Sequence, residues 1–266
     1  MRTRKKSKMN KKQILLTSVT TLLVVAIAGT IIFFGVRAVK LNKYKDCSVR
    51  LPRRFKITAH TGCMGTDDNS IEAMRAGVAN GADIIEFDVH FKEDGTPVLS
   101  HDEPKGDELV LEKAFEFLSH NKNLKANVDM KSTANMSEVQ KLADKYGVTN
   151  QIFFTGIESE DVKTIQKECP RISYYLNIDV DREKNTDSEY IKTLVSQVKT
   201  SGAIGINFNY KSASADIVKA FHANMLYVSV WTVDDKLHMY EALEIAPDNI
   251  TTRNPDVLCE IVENMS

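Results

Sequence analysis

Cysteine is scarce in this sequence and has no regular spacing. Only four cysteines occur in 266 residues, and none forms the C-x-x-C pair that is typical of zinc sites. The sequence also lacks the G-x-G-x-x-G pattern of a dinucleotide-binding loop. These absences disfavour a cysteine-bound zinc centre and a dinucleotide fold. An exported domain permits a disulfide, but the spacing assigns none, and we expect mostly free, half-buried thiols.

Acidic residues are absent from the first part of the chain. Residues 1–45 contain no aspartate or glutamate, but they hold eleven of the 35 lysines and arginines. The remainder therefore carries 24 basic and 36 acidic side chains, a net charge near -12. Nucleic-acid binding requires a basic surface. We therefore expect no nucleic-acid partner for this acidic body.

Residues 14–36 form an apolar run without a single charge. At about 1.5 Å per residue, a helix of this length spans the roughly 30 Å hydrocarbon core of a bilayer. Seven basic residues precede the run and four follow it, which predicts a cytoplasmic amino terminus and an extracellular body. A cleaved signal peptide is the alternative, although its apolar core is usually only about 7–15 residues.

The predicted organisation thus has four parts in a single-pass protein of the cell membrane. They are a cytoplasmic basic segment at 1–13, a transmembrane anchor at 14–36, a linker at 37–54 and a catalytic domain at 55–266.

From residue 55 onward, short apolar strands alternate with amphipathic helices. The expected strands are 55–59, 82–90, 97–100, 124–130, 151–155, 172–178, 203–208, 226–232 and 249–252. The expected helices are 70–80, 112–119, 137–146, 160–168, 188–199, 213–223, 235–244 and 255–263. About eight strand–helix units in about 210 residues predict an α/β fold, a (β/α)₈ TIM barrel. A doubly wound open sheet is the alternative fold.

Two acidic residues lie within the apolar strand predicted at 82–90. Side chains alternate along a strand, so Glu86 and Asp88 share a face and repel each other there. A divalent cation between them relieves that repulsion, and hard cations such as Mg²⁺ and Ca²⁺ prefer paired carboxylate oxygens. The alternative is an edge strand with two solvated acids.

Other polar side chains follow the carboxyl ends of the predicted strands, where barrel chemistry takes place. His60 and His101 could exchange protons near neutral pH. Asp129 could complete a metal site with Glu86 and Asp88, and Lys131 could bind a phosphate oxygen. Trp231 could form a wall of the substrate pocket, with Asn207 and Asn209 as weaker candidates for pocket donors. Each histidine alone could equally be structural.

Several blocks have a characteristic order: Ala-His-Thr-Gly at 59–62, Asp-Asn-Ser at 68–70, Glu-Phe-Asp-Val at 86–89, Asp-Gly-Thr-Pro-Val at 94–98, His-Asp at 101–102 and Val-Asp-Met-Lys at 128–131. They resemble the glycerophosphodiester phosphodiesterase family. In that family His-Arg-Gly is followed by Glu-Asn-Thr, Glu-x-Asp, Lys-Asp-Gly, His-Asp and Glu-x-Lys. Residues 230–233 and 252–255 resemble its late barrel strands more weakly.

The resemblance implies metal-dependent cleavage of glycerol-linked phosphodiesters in a TIM barrel. It makes His60 and His101 the acid–base pair, and it makes Glu86, Asp88 and Asp129 the ligands of a Mg²⁺ or Ca²⁺ ion. The substrate is expected to be a small phosphodiester or a lipid headgroup. In the family, a glycerol hydroxyl attacks phosphorus, and water then opens the resulting cyclic phosphate to an alcohol and glycerol phosphate.

Three departures from the family pattern matter. Thr61 replaces the arginine that follows the first histidine, and threonine cannot bind phosphate in a bidentate way. Asp129 replaces a glutamate, and its Asp-x-Lys pattern is similar to the sphingomyelinase-D-like phospholipases, lyases that stop at the cyclic phosphate. Only 28 positions separate His101 from Asp129, so the insertion that forms part of the glycerol pocket is missing.

Two alternatives to hydrolysis therefore stay open. One is a phospholipase-D-like lyase, and the other is a non-catalytic protein that binds phospholipid or metal. The remaining histidines have weaker claims to function: His90 could reach the edge of the site, whereas His120, His222 and His238 are expected at the surface. Cys63 lies close to the site in sequence, but we expect it to have a packing role.

Overall fold

The structure is a computed structural model that describes residues 11–44 and 48–265, with side chains from Ser18 onward in the first segment. The chain divides into two compact units, residues 1–47 and 48–266. Cys47 and the basic residues before Lys11 lie outside the described residues. The predictions made for them stay predictions.

The first unit contains one long helix, α1 (Lys11–Lys43). Its stretch Ser18–Lys43 is long and apolar enough to cross a membrane, with a mean hydropathy of 2.5. A signal sequence near the amino terminus has the same features. The helix also includes residues 37–43, which the sequence analysis assigns to the linker.

The second unit is built from nine strands and eight helices among the described residues. The strands are β1 (Lys56–Ala59), β2 (Ile84–Phe91), β3 (Pro97–Leu99), β4 (Lys125–Met130), β5 (Ile152–Ile157), β6 (Ser173–Asn177), β7 (Gly205–Asn209), β8 (Tyr227–Trp231) and β9 (Asn249–Thr252). The helices are α2 (Ile71–Ala79), α3 (Leu111–His120), α4 (Met136–Tyr146), α5 (Val162–Glu168), α6 (Ser188–Ser201), α7 (Ala215–Ala223), α8 (Lys236–Glu244) and α9 (Pro255–Met265).

Eight of these strands are parallel and close into a barrel. The strand order is β1-β9-β8-β7-β6-β5-β4-β2, and β1 pairs with β2 to complete the ring. The short strand β3 is antiparallel to β2 and returns the chain beside it. The predicted (β/α)₈ TIM barrel is confirmed, and the open doubly wound sheet is wrong.

Local chemistry explains several element boundaries. The Ser70 hydroxyl accepts a hydrogen bond from the Ala73 N–H at 3.0 Å and caps α2, as its position before the apolar periodicity predicts. Helices α4 and α6 end at Gly147 and Gly202, which adopt the left-handed conformation. Glycine reaches that conformation without steric cost, so both helices end there.

The apolar core lies between the strands and the surrounding helices. Phe87, Phe154 and Phe208 are at most 1% exposed and face outward from the barrel toward the helix layer. The alternate side chains face the barrel interior, and many of the buried residues there are polar. We call this set the interior polar belt: Thr58, Glu86, Asn127, Thr155, Asn207, Ser229, Asn249 and Thr251.

Hydrogen bonds within the interior polar belt replace the water that these groups lose on burial. Thr58 donates to Asn249 at 2.7 Å, and Asn249 donates to Ser229 at 3.0 Å. Thr155 donates to Asn127 at 2.7 Å. A buried polar group costs free energy unless it is bonded in this way. The barrel interior therefore forms a polar floor beneath the carboxyl ends of the strands.

Candidate active site

Three carboxylates meet at the carboxyl-terminal end of the barrel. Glu86 and Asp88 come from β2, and Asp129 lies directly opposite Asp88 on the neighbouring strand β4. One oxygen from each carboxylate lies within 4.8 Å of the other two. Glu86 and Asp88 are buried, and the side chain of Asp129 is 17% exposed. The strand register thus brings together the three acids that the sequence analysis selected as metal ligands.

The loop after β1 holds two of these acids in position. The Thr61 N–H donates to Glu86 Oε2 at 2.8 Å. Asn69 makes two hydrogen bonds with Asp88: its Nδ2 donates to the carboxylate at 3.0 Å, and its Oδ1 accepts from the Asp88 N–H at 2.9 Å. Thr61 Oγ1 in turn accepts from the Asn69 N–H at 2.5 Å. Asn69 is a positioning residue that the sequence analysis placed in a motif without a role.

The charges at this cluster are strongly coupled. Burial, followed by the charges of Asp88 and Asp129, raises the pKa of Glu86 well above its usual range. Lys131 Nζ lies 2.5 Å from Asp129 Oδ2 and 3.0 Å from Asp88 Oδ1. Burial opposes the charged form of Lys131, but these two carboxylates raise its pKa above the ordinary value. The cluster therefore attracts positive charge.

This donor set fits a divalent cation. Three carboxylates within 4.8 Å of one another supply hard oxygen ligands, which Mg²⁺ and Ca²⁺ prefer. Burial first, and then the charges of Asp88 and Asp129, raise the pKa of Glu86, even though the ammonium group of Lys131 is nearby. Oxygen ligands without sulfur or imidazole disfavour zinc and copper. Glu86, Asp88 and Asp129 are thus suited to hold the expected ion.

His60 lies at the end of β1 beside this cluster. Its Nδ1 is 2.8 Å from the Thr61 carbonyl oxygen, which can only accept, so the neutral ring carries its proton on Nδ1. Glu86 Oε2 lies 3.9 Å from the same nitrogen. Burial lowers the pKa of His60, and the positive charge of Arg253 lowers it further. Both effects favour the neutral imidazole, whose Nε2 can accept a proton.

His101 lies in the loop after β3 and is far more exposed. Its side chain is 69% exposed, and Nδ1 lies 2.9 Å from Asp102 Oδ1. This contact orients the imidazole, because the carboxylate accepts from the Nδ1–H. The two histidines thus enter the site from different loops and occupy different environments.

One cavity of about 520 Å³ brings all of these groups together. Its lining includes the seven residues that the sequence analysis selected: His60, Glu86, Asp88, His101, Asp129, Lys131 and Trp231. The Trp231 side chain is 37% exposed at the end of β8, so an aromatic face is available to a ligand. Sequence-distant residues therefore converge at one mouth of the barrel, as the strand-end argument predicts.

Several lining residues were not selected from the sequence. Gly156 has a positive φ of 71°, and its N–H donates to Asn177 Oδ1 at 3.1 Å. A Cβ at Gly156 would lie 2.2 Å from the Met130 carbonyl oxygen, so only glycine fits there. Asn207, which the sequence analysis named as a weaker candidate for a pocket donor, donates to the same Asn177 oxygen at 3.1 Å and lines the cavity. For Asn177, alternation along β6 was the available sequence signal.

Other side chains with weaker claims lie elsewhere. Asn209 caps the short turn after β7 and does not line this cavity. His90 faces Glu103 at 3.7 Å, next to the mouth. His120 is exposed as expected, but His222 is only half-exposed because it binds the buried Asp248 at 2.9 Å. His222 thus lies only partly at the surface and has a structural partner.

His238 and the cysteines also have structural surroundings. His238 Nδ1 lies 3.1 Å from the Tyr210 hydroxyl and is only partly exposed. Cys63 is buried, and its Sγ lies 3.3 Å from the Ala73 carbonyl oxygen, which supports a packing role. Cys169 and Cys259 are also free thiols among the described residues.

A larger cavity, about 970 Å³, lies at the opposite, amino-terminal end of the barrel. Its lining includes Lys56, Lys125 and Tyr227, and its one carboxylate, Asp83, is ion-paired with Lys56 at 2.7 Å. It has no carboxylate cluster for a cation. The chemistry of the side chains therefore places the candidate active site in the smaller cavity.

A comparison with known families decides the classification. The sequence model of the glycerophosphoryl diester phosphodiesterase family matches residues 54–110 and 104–257. The chain belongs to this family. The two matched segments meet at 104–110, in the loop that follows His101, where the sequence analysis expects the family insertion to be missing. Members of this family are phosphoric diester hydrolases, and the match covers most of the second unit.

Individual relatives agree with this assignment. A glycerophosphodiester phosphodiesterase of Bacillus altitudinis is 22% identical over 252 residues, which covers 79% of this chain and 99% of that relative. The crystal structure of a glycerophosphodiester phosphodiesterase from Agrobacterium tumefaciens has a TM-score of 0.64 at 18% identity, with coverage of 79% and 99%. A phosphodiesterase of Oleispira antarctica, in complex with the product sn-glycerol-3-phosphate, has a TM-score of 0.66 at 14% identity, with coverage of 80% and 97%.

Proposed function

We propose that this protein is a membrane-anchored phosphodiesterase that hydrolyses glycerol-linked phosphodiesters outside the cell. The products are an alcohol and glycerol phosphate. Family membership supports this activity. The observation that carries the proposal is the single cavity that joins three clustered carboxylates, two histidines and a lysine.

Cleavage begins with proton transfer to His60. Nδ1 of this imidazole is held by the Thr61 carbonyl, so Nε2 removes the proton from a glycerol hydroxyl of the substrate. The hydroxyl oxygen then bonds to phosphorus, and the bond from phosphorus to the alcohol oxygen breaks. His101, oriented by Asp102, donates a proton to the departing alcohol. The first step thus ends with a cyclic phosphate and a free alcohol.

In the second step, water opens the cyclic phosphate, and the two histidines exchange the roles of acid and base. His101, now neutral, removes a proton from water as the water oxygen bonds to phosphorus. The ring bond from phosphorus to the glycerol oxygen breaks, and His60 returns its proton to that oxygen. Glycerol phosphate forms, and both histidines regain their starting states. A general acid–base pair of this kind typically contributes about 10²–10⁴-fold to rate.

The remaining groups bind and orient the substrate. A Mg²⁺ or Ca²⁺ ion held by Glu86, Asp88 and Asp129 supplies Lewis-acid neutralisation of phosphate charge. Lys131 adds a positive point charge next to Asp88 and Asp129. Trp231 offers its exposed aromatic face to the glycerol or headgroup portion.

Phosphorus NMR of the reaction products separates the three candidate functions. With a glycerophosphodiester or lysophospholipid and Mg²⁺ or Ca²⁺, we expect glycerol phosphate to accumulate, and a cyclic ester to appear only transiently. A cyclic phosphate that persists would identify the lyase, which the Asp-x-Lys pattern at 129–131 favours. Absence of any product, with substrate still bound, would identify a binding protein.

Residues 14–36 are proposed as an uncleaved anchor, with residues 1–13 in the cytoplasm. We expect the full chain to sediment with membranes and to require detergent for release, because α1 carries a long apolar stretch. Protease added to intact cells should digest the barrel, and residues 48–266 expressed alone should be soluble. A soluble, amino-terminally shortened protein in cells would instead indicate a cleaved signal peptide.

A further inference from the structure

The candidate active site has a shortage of positive charge. Two permanently charged cations, Lys131 and Arg253, line the cavity among the described residues. Lys131 is already paired with both Asp88 and Asp129. Five carboxylates line the same cavity: Glu86, Asp88, Asp129, Glu158 and Asp161. A phosphodiester carries a negative charge, so it needs cationic partners that these carboxylates do not fully engage.

The strand register places Arg253 next to His60. Strands β1 and β9 are parallel neighbours, Ala59 lies opposite Thr252, and the His60 N–H donates to the Thr252 carbonyl at 2.8 Å. Asn249 and Thr251 face the barrel interior, so alternation directs Arg253 to the same side. Arg253 lines the cavity, as this alternation predicts. It therefore lies at the carboxyl-terminal end of the barrel, next to His60, the proposed base.

The backbone around Arg253 is held firmly. The Arg253 N–H donates to Asp234 Oδ1 at 2.7 Å, and Asn254 Nδ2 donates to the Asp234 carbonyl at 2.9 Å. The Met64 N–H donates to the Arg253 carbonyl at 2.9 Å, which ties this position to the loop after His60. A side chain orients a substrate more effectively when its own backbone is held in place.

The guanidinium retains capacity to bind a ligand. Its Nη1 lies 3.2 Å from Asp234 Oδ2, and the side chain is 44% exposed to the cavity mouth and solvent. Its Nε and Nη2 have no hydrogen-bond partner among the described residues. Arginine has five donors in a planar fork, so one carboxylate partner leaves several available. Asp234 thus orients the guanidinium without saturating it.

Thr61 cannot take the phosphate-binding role of the family arginine that it replaces. It is 3% exposed, its N–H is bonded to Glu86, and its hydroxyl accepts from Asn69. This side chain supports the loop, and Thr61 is not among the residues that line the cavity. Thr61, the neighbour of His60 in sequence, therefore supplies no positive charge to the site. Arg253, its neighbour in space, does.

We propose that Arg253 binds a non-bridging oxygen of the substrate phosphate and supplies the guanidinium that is missing at position 61. The inference rests on the proposed function, because it assigns a further substrate-binding residue to the same site. It predicts that the anionic phosphate, shared by all glycerol-linked phosphodiesters, is recognised by the residue that follows β9 instead of the loop after β1.

The test compares Arg253→Gln and Arg253→Lys with wild type, all as full chains in detergent. Calorimetry measures binding of sn-glycerol 3-phosphate, and kinetics give KM and kcat for a glycerophosphodiester. A charge-assisted hydrogen bond contributes about 1.5–3 kcal/mol, which corresponds to a loss of about 10- to 150-fold in affinity for Arg253→Gln. Arg253→Lys should fall between Gln and wild type, because it keeps the charge but loses the planar fork.

Arg171→Gln is the matched control. Arg171 is also an exposed arginine with one carboxylate partner, Asp144, but it lies at the amino-terminal end of the barrel. It should bind sn-glycerol 3-phosphate like wild type. Equal affinity of Arg253→Gln and wild type would overturn the inference. If Arg253→Gln fails to fold, the same comparison is made with Arg253→Lys, and wild-type affinity there would also overturn it.

Failure of the proposed function gives a different pattern. Wild type would then bind sn-glycerol 3-phosphate without turning over any phosphodiester, and the calorimetric comparison would still decide the role of Arg253. If wild type does not bind sn-glycerol 3-phosphate at all, the inference is also wrong. A purely structural role of Arg253 would lower the melting temperature of both variants while leaving their affinity at the wild-type value.

Discussion

Replacement of His60 or His101 by alanine should reduce turnover of a glycerophosphodiester by about 10²–10⁴-fold, the usual contribution of general acid–base groups. His60 Nδ1 is bonded to the Thr61 carbonyl, so its Nε2 is the basic atom at the mouth. His101 is oriented by Asp102. Because the two residues act in one proton cycle, the double variant should be little worse than the more impaired single variant.

His120→Ala is the control for these substitutions. His120 is exposed at the end of α3 and lines the cavity at the opposite end of the barrel. Its removal should leave kcat and KM at wild-type values. The melting temperature of His101→Ala should also match wild type, because the side chain is 69% exposed and buries little area. Less than tenfold loss in both single variants would exclude their catalytic role.

Removal of the divalent cation should reduce activity by about 10³-fold, since a metal Lewis acid contributes several kcal/mol and each 1.36 kcal/mol is tenfold in rate. The same loss is expected for Glu86→Gln and Asp129→Asn, because the three clustered carboxylates are the candidate ligands. Activity in chelator should return on addition of Mg²⁺ or Ca²⁺. Calorimetry with the metal alone should show binding to wild type and strongly weakened binding to both variants.

Two further variants make this prediction specific. Glu158→Gln removes another carboxylate from the same cavity, but Glu158 lies outside the three-acid cluster. This variant should therefore bind the metal with wild-type affinity. Asp129→Glu keeps the charge and should retain metal binding. Without metal, Glu86→Gln should melt at or above the wild-type temperature. The raised pKa of Glu86 shows that the folded state disfavours its charge near neutral pH. Full activity of wild type in chelator would contradict the metal requirement.

The elements and their order could be predicted from the sequence because the signals are local. Apolar runs alternate with amphipathic periodicity, and polar caps such as Ser70 mark helix starts. Barrel closure followed from the count of strand–helix units. The proposed metal ligands Glu86 and Asp88 were recognisable because their spacing of two residues already puts them on one face of β2.

The roles of Arg253 and Asn69 could not be predicted from local sequence patterns. Each residue lies in a block that resembles the family, but the block indicates no role for it, and each acquires its place through a partner far away in sequence. Asn69 reaches Asp88 across 19 positions. Arg253 reaches the site because β9 pairs with β1, whose residues precede it by almost the whole barrel domain. Side-chain alternation predicts which face a residue occupies, but not which distant groups meet there.

The sequence by itself determined the barrel, the apolar amino-terminal helix and the identity of the acid and histidine residues, since each depends on periodicity or on short motifs. Only the tertiary structure decided that these residues share one cavity, that Thr61 turns inward to support the loop, and that Arg253 stands beside His60. The physical reason is strand register: hydrogen bonding between neighbouring strands sets which side chains lie at the same height, and no local pattern encodes that height.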